Sequence, residues 1–164
     1  MPDTPVVVYN RRLDILATNR LGSLVVADPT GAGTGFGNCV LATFLDPVMR
    51  RVYVDWDEVA RDVVGLIRRF AGRYPHDTRI DGLVAELSAR SEEFRTLWAA
   101  HDVRHVLRGR KRLRHPVVGE IALDYEHLAL PDDPDLGMTV YTAPPRSEAR
   151  RALDRLAARE AAGA

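Results

Sequence analysis

Arg110-Lys111-Arg112-Leu113-Arg114-His115-Pro116-Val117-Val118-Gly119-Glu120-Ile121-Ala122-Leu123-Asp124-Tyr125 is the stretch that decides the fold. Before it, apolar residues recur every three or four positions, the period of a helix. Within it the period is two, the period of a strand. Arg110, Arg112 and Arg114 fall on one face, and Lys111, Leu113 and His115 on the other. After the turn, Glu120, Ala122 and Asp124 alternate against Ile121, Leu123 and Tyr125. An odd loop over 115–119 sets Arg114 opposite Glu120, Leu113 opposite Ile121 and Arg110 opposite Asp124. An even loop would set arginines opposite leucines, so charge matching selects the first register. Pro131 to Asp135 reads as a second turn and Met138 to Tyr141 as a last strand, which makes a three-stranded antiparallel meander.

Moving toward the N-terminus, Ser91 caps a helix with Glu92 and Glu93 in its first turn, where the dipole favours them. Its inner face carries Phe94, Leu97, Trp98 and then His101. Ile80, Leu83, Val84 and Leu87 mark a preceding helix. The clearest helix runs from Asp55 to about Gly72, with Trp56, Val59, Ala60, Val63, Val64, Ile67 and Phe70 at helical spacing. Asp55 and Glu58 have the spacing of a capping box. Short helical segments are expected over Cys39 to Leu45 and after Asp46-Pro47. Residues 28–38 form a glycine-rich, flexible loop. Thr18 or Asn19 caps a short helix through Val26. Pro5 to Tyr9 and Leu13 to Ala17 read as a hairpin around Asn10-Arg11-Arg12. At the other end, residues 146–164 form a helix capped by Ser147 and a fraying tail. Strands set apart from a block of helices predict an α+β fold, one sheet with helices against a face.

The chain has 164 residues, 46% hydrophobic and 28% charged, with 23 basic and 23 acidic side chains. That is the balance of one globular domain, 1–164, with no global field toward nucleic acid or membrane. A single cysteine, Cys39, allows no internal disulfide and no cysteine zinc cluster. No apolar run approaches the roughly 20 residues that cross a bilayer, and the N-terminus does not read as a signal peptide. A cytoplasmic location is expected.

Several stretches resemble the C-terminal ligand-binding domain of MmyB-like helix-turn-helix transcription regulators, a family common in actinomycetes. They are Pro5 to Asn19, Phe44-Leu45-Asp46-Pro47, Asp55 to Ala60, Leu87 to Asp102, Lys111-Arg112 through His115-Pro116 to Gly119, Leu123-Asp124-Tyr125-Glu126 and Val140-Tyr141-Thr142-Ala143. The resemblance implies a PAS-like fold, a five-stranded antiparallel sheet with a helical layer closing an apolar cavity. It implies a fatty-acid-like or other small apolar ligand, a role in transcription regulation and no enzymatic activity. It also implies that DNA is bound only through a helix-turn-helix module, which this chain does not contain. A homodimer is left open. No cofactor is expected other than a bound fatty acid. The family's shorter approach to the Asn matching Asn38 is replaced here by the glycine-rich insertion.

On this reading the apolar lining is Phe36, Leu41, Phe44, Val63, Ile67, Phe94, Trp98, Leu123 and Tyr125, each of which could equally be plain core. His101, one turn from Trp98, is the candidate polar contact. Lys111, Arg112 and His115 are candidates for a ligand head group, arginine being suited to bidentate carboxylate recognition. Two other readings are carried. One is direct nucleic-acid binding through the basic 104–114 strand, opposed by the acidic residues expected beside it. The other is a small hydrolase using His101. The glycine loop fails the dinucleotide fingerprint and lacks the Lys-Ser or Lys-Thr of a P-loop. It reads as a lid or as a plain insertion. His101 and His105 have helical metal spacing without a convincing third ligand, so no metal is expected.

Overall fold

The computed structural model describes residues 3–27, 37–102 and 107–163. Phe36, Arg104, His105 and nearly all of the glycine-rich segment lie outside them. Five strands, β1 (Val6–Asn10), β2 (Ile15–Thr18), β3 (Arg108–His115), β4 (Gly119–Leu130) and β5 (Asp133–Thr142), form one antiparallel sheet in the order β2-β1-β5-β4-β3. Helices α2 (Cys39–Leu45), α3 (Pro47–Val52), α4 (Trp56–Arg73), α5 (Thr78–Arg90) and α6 (Glu92–Ala99) separate β2 from β3 in the chain. The short α1 (Arg20–Gly22) continues as a π-helical turn, Ser23–Ala27, and α7 (Glu148–Gly163) closes the chain. The architecture is α+β and PAS-like.

The β3–β4 register pairs Arg110 with Asp124, Leu113 with Ile121 and Arg114 with Glu120, as charge matching predicts. The inward positions are Lys111, Leu113, His115, Ile121, Leu123 and Tyr125, all buried. On the outer face Arg110 Nε lies 2.7 Å from Asp124. Arg112 reaches across to Asp55, 2.7 and 2.5 Å to its two oxygens. That ion pair corrects the expected capping box. Asp55 makes no side-chain cap bond at the start of α4, because a bidentate arginine holds its carboxylate instead. β4 and β5 both run longer than expected and pair on to Leu130 and Asp133. Here Glu126 to Leu130 loses the clean alternation, and neighbouring-strand pairing extends the strands in its place.

The edges of the sheet are covered by chain crossing from the helical layer. Tyr53 bridges Leu113, and the Val54 amide donates to Arg112 O at 3.0 Å, over part of β3's free edge. At the opposite edge, buried Asn38 caps α2 by accepting from the Val40 and Leu41 amides. Its own amide group donates to Arg12 O at 2.8 Å and Asp14 Oδ1 at 2.9 Å. One side chain thus starts a helix and ties it to the β1–β2 hairpin. Asn19 plays a similar part for α1, accepting from Gly22 and Val6 amides and donating to Thr4 O.

The core has two compartments. Between the helices, Phe44 packs edge-on against Trp56 and Phe94, at centroid separations of 5.7 and 5.2 Å, and Phe94 stacks on Trp98 at 5.7 Å. Between sheet and helices, the inner residues of β1, β3, β4 and β5 face α2 and α4. The second compartment contains a cavity.

Candidate functional site

The cavity of about 60 Å³ is bounded by Val7 and Tyr9 of β1, Lys111 of β3, His127 of β4, and Thr139 and Tyr141 of β5. Cys39 and Ala42 of α2, Met49 of α3, and Val63 and Leu66 of α4 face them, with Tyr53 between α3 and α4. Strand periodicity explains the polar wall. Tyr9, Lys111, His127, Thr139 and Tyr141 all occupy inward registers, where a sheet otherwise places Val, Ile or Leu.

Lys111 is the unusual member. It is only 7% exposed. No hydrogen bond or salt bridge engages its ammonium among the described residues. Its Nζ instead stands 4.4 Å from the ring centre of Tyr125 and 5.8 Å from that of Tyr141, a cation–π arrangement. Burial pushes its pKa down, partly opposed by the charge of Asp62 and by Cys39. The Tyr125 hydroxyl, turned away, donates to Asp62 Oδ2 at 2.6 Å.

Across the cavity, His127 Nδ1 lies 2.7 Å from Thr139 Oγ1 and 3.3 Å from the Tyr9 hydroxyl. Burial, with help from the Lys111 and Arg69 charges, pushes the imidazole down to about 3. Burial also pushes the Cys39 thiol up to about 11 and the Tyr9 phenol up to about 12. All three groups are therefore held uncharged at neutral pH. Cys39 makes no hydrogen bond to a histidine among the described residues, so the thiol has no activating base of the kind nucleophilic catalysis uses.

Of the residues expected from sequence to line a pocket, the structure brings Val63 and Lys111 to the cavity. Leu41, Phe44 and Trp98 are partly buried and pack on the core, while Ile67, Phe94 and Leu123 are fully buried within it. Tyr125 stands beside the cavity through Lys111. Trp98 carries Arg68 over its ring at 4.2 Å, and Arg68 also donates to Trp98 O. His101 is exposed, because α6 ends at Ala99 and the chain turns through a left-handed conformation at His101, φ 51°. Its Nδ1 approaches Ala99 O at 2.5 Å. Arg112 points to the outer face, in its pair with Asp55. His115 is buried but acts as a clamp, with Nε2 3.0 Å from Leu24 O and Nδ1 accepting from the Val117 amide at 3.1 Å.

Sequence reasoning passed over Tyr9, Cys39, Tyr53, His127, Thr139 and Tyr141. A polar residue on the inward register of a strand is the signal for Tyr9, His127, Thr139 and Tyr141, whereas Cys39 and Tyr53 lie outside the strands and carry no such mark.

A family model described as the MmyB-like transcription regulator ligand binding domain matches residues 1–156. No curated protein matches the chain.

Proposed function

Because the chain belongs to the family of MmyB-like transcription regulator ligand binding domains, we propose that it senses a fatty-acid-like molecule in the cavity beneath the sheet, with Lys111 receiving the carboxylate. The observation that carries this reading is the buried ammonium of Lys111, which has no hydrogen bond or ion pair among the described residues, on an otherwise uncharged wall. A charge taken out of water and left without a partner is costly. A carboxylate arriving with an apolar tail removes that cost and supplies a charge-assisted hydrogen bond. The tail adds up to about 0.8 kcal/mol for each buried methylene.

The size of the cavity gives the reading its regulatory content. Pockets for small organic ligands occupy roughly 300–1,000 Å³, and this one is about 60 Å³. It has room for the head group, and the tail fits only when α2 and α4 move away from the sheet. Occupancy and displacement are then one event, and ligand binding selects the displaced state. Held-neutral side chains, and a thiol with no histidine bonded to it among the described residues, favour binding over hydrolysis. Arg110 is engaged by Asp124 and Arg112 by Asp55 and Glu120, which disfavours these two as a free nucleic-acid surface.

Calorimetric titration with octanoate, and with octanol as its uncharged match, tests the assignment. Octanoate should bind one to one. Lys111→Met should weaken octanoate at least about tenfold, the scale of a lost charge-assisted bond, and octanol much less. Absence of binding by both, with no rise in melting temperature, would overturn the reading.

A further inference from the structure

We propose that Lys111 also captures apolar aldehydes, holding them in the cavity as a reversible Schiff base. The inference rests on the assignment of the cavity as the ligand site, and it names a second class of ligand for that site.

Position comes first. Lys111 projects from the inner face of β3 into a cavity lined mainly by apolar and aromatic side chains, Val7, Met49 and Val63 among them, together with uncharged Cys39, His127 and Thr139. An aldehyde there meets an amine and little water. The surroundings of the amine come second. Among the described residues no acceptor fixes it as an ammonium, and the tyrosine faces at 4.4 and 5.8 Å are weak substitutes for hydration. Burial lowers its pKa, so the neutral, nucleophilic form is more accessible than on a surface lysine.

The choice of residue is the third observation. Wherever else this chain has a cationic side chain it uses arginine, and its sole lysine is at position 111. For anion binding alone arginine is the better donor, with a planar fork that stays charged. What lysine offers instead is a nitrogen that can lose its proton. Placing the one lysine in the cavity fits a site that uses that property.

The chemistry balances without an oxidant or reductant. The neutral Nζ attacks the carbonyl carbon, and the carbonyl π electrons move onto oxygen, which takes a proton from nitrogen to give a carbinolamine. The carbinolamine loses its hydroxyl and the second nitrogen proton as water, leaving a carbon–nitrogen double bond. One water reverses the sequence. Thr139 and neutral His127 line the same cavity and leave the amine as its one basic group. An acid recharges the lysine and an aldehyde consumes it, so one site reads an acyl chain at two oxidation levels.

The test is reductive trapping. The full chain is incubated at pH 7 with octanal and cyanoborohydride, which fixes an imine as a stable amine, and the product is mapped by peptide mass. Residue 111 is the one lysine of the sequence, so the α-amino group of the chain used serves as the reference amine. One octyl group should appear on Lys111, at least about tenfold faster in the folded protein than in the urea-unfolded chain, as an activated amine requires. Octanoate should slow it. Lys111→Arg should lose the internal adduct. Label confined to the α-amino group, or equal labelling of Lys111 in folded and unfolded chain, would overturn the proposal. Failure with octanal alongside binding of octanoate removes the aldehyde inference and leaves the acid-binding reading standing. Failure of both removes both.

Discussion

His127 sits against the cavity among Thr139, Tyr9, Tyr125 and Lys111, with Arg69 near enough to add its charge. The ordinary imidazole value is 6.5, and in the fold it falls to about 3. Between those values the unfolded chain binds a proton that the folded chain refuses. Stability therefore falls as pH drops from 6.5 toward 3, and above 6.5 the residue contributes nothing to the slope. His127→Gln keeps a group that can bond Thr139 and does not titrate. Urea midpoints measured from pH 7 down to pH 4 should fall more steeply for the wild type than for the variant. His115, whose pKa burial also lowers, is common to both proteins, so the difference belongs to His127. Parallel lines would show that His127 is charged in the folded state.

At the level of elements, two glycines in the sheet shape the cavity wall. Gly137 of β5 lies opposite Tyr9 of β1, and a Cβ at Gly137 would stand 2.3 Å from the Tyr9 ring. Gly109 of β3 lies opposite Tyr125 of β4, where a Cβ would stand 2.8 Å from the hydroxyl. Each ring lies across the backbone of the next strand because that strand carries no side chain there. Gly137→Ala should push Tyr9 off His127 and into the cavity. Octanoate affinity should drop severalfold and stability by about 1–3 kcal/mol, the usual cost of overpacking. Calorimetry and urea unfolding check both, and an unchanged affinity would mean that Tyr9 is no wall of the site. The β3–β4 register was legible in the sequence because every second residue there declares its face by charge. The inner faces of the helices were legible in the same way. What spacing could not tell is which of two interior volumes an inward residue enters. Phe44, Phe94 and Trp98 do face inward, but into the space between helices. Asp55 was misread because its partner, Arg112, is brought beside it only by the fold.

Across the whole molecule, the dense aromatic compartment and the thinly filled one divide the work. The first gives the helical layer its own cohesion, which the proposed displacement of α2 and α4 from the sheet requires. No described helix is long and apolar enough to cross a membrane. The burial of the chain's only lysine has a practical corollary. A small acylating ester without an apolar chain has, unlike octanal, no affinity for the cavity, so it reaches the buried side chain of residue 111 only when the layers part. Its acylation rate is therefore a clock for the opening of the protein, read at one atom by mass alone. The fraction of time spent open should set that rate, and octanoate, by filling the gap, should slow it in proportion to its occupancy. A rate equal to that of a free lysine, unmoved by octanoate, would mean that the layers do not close over the site.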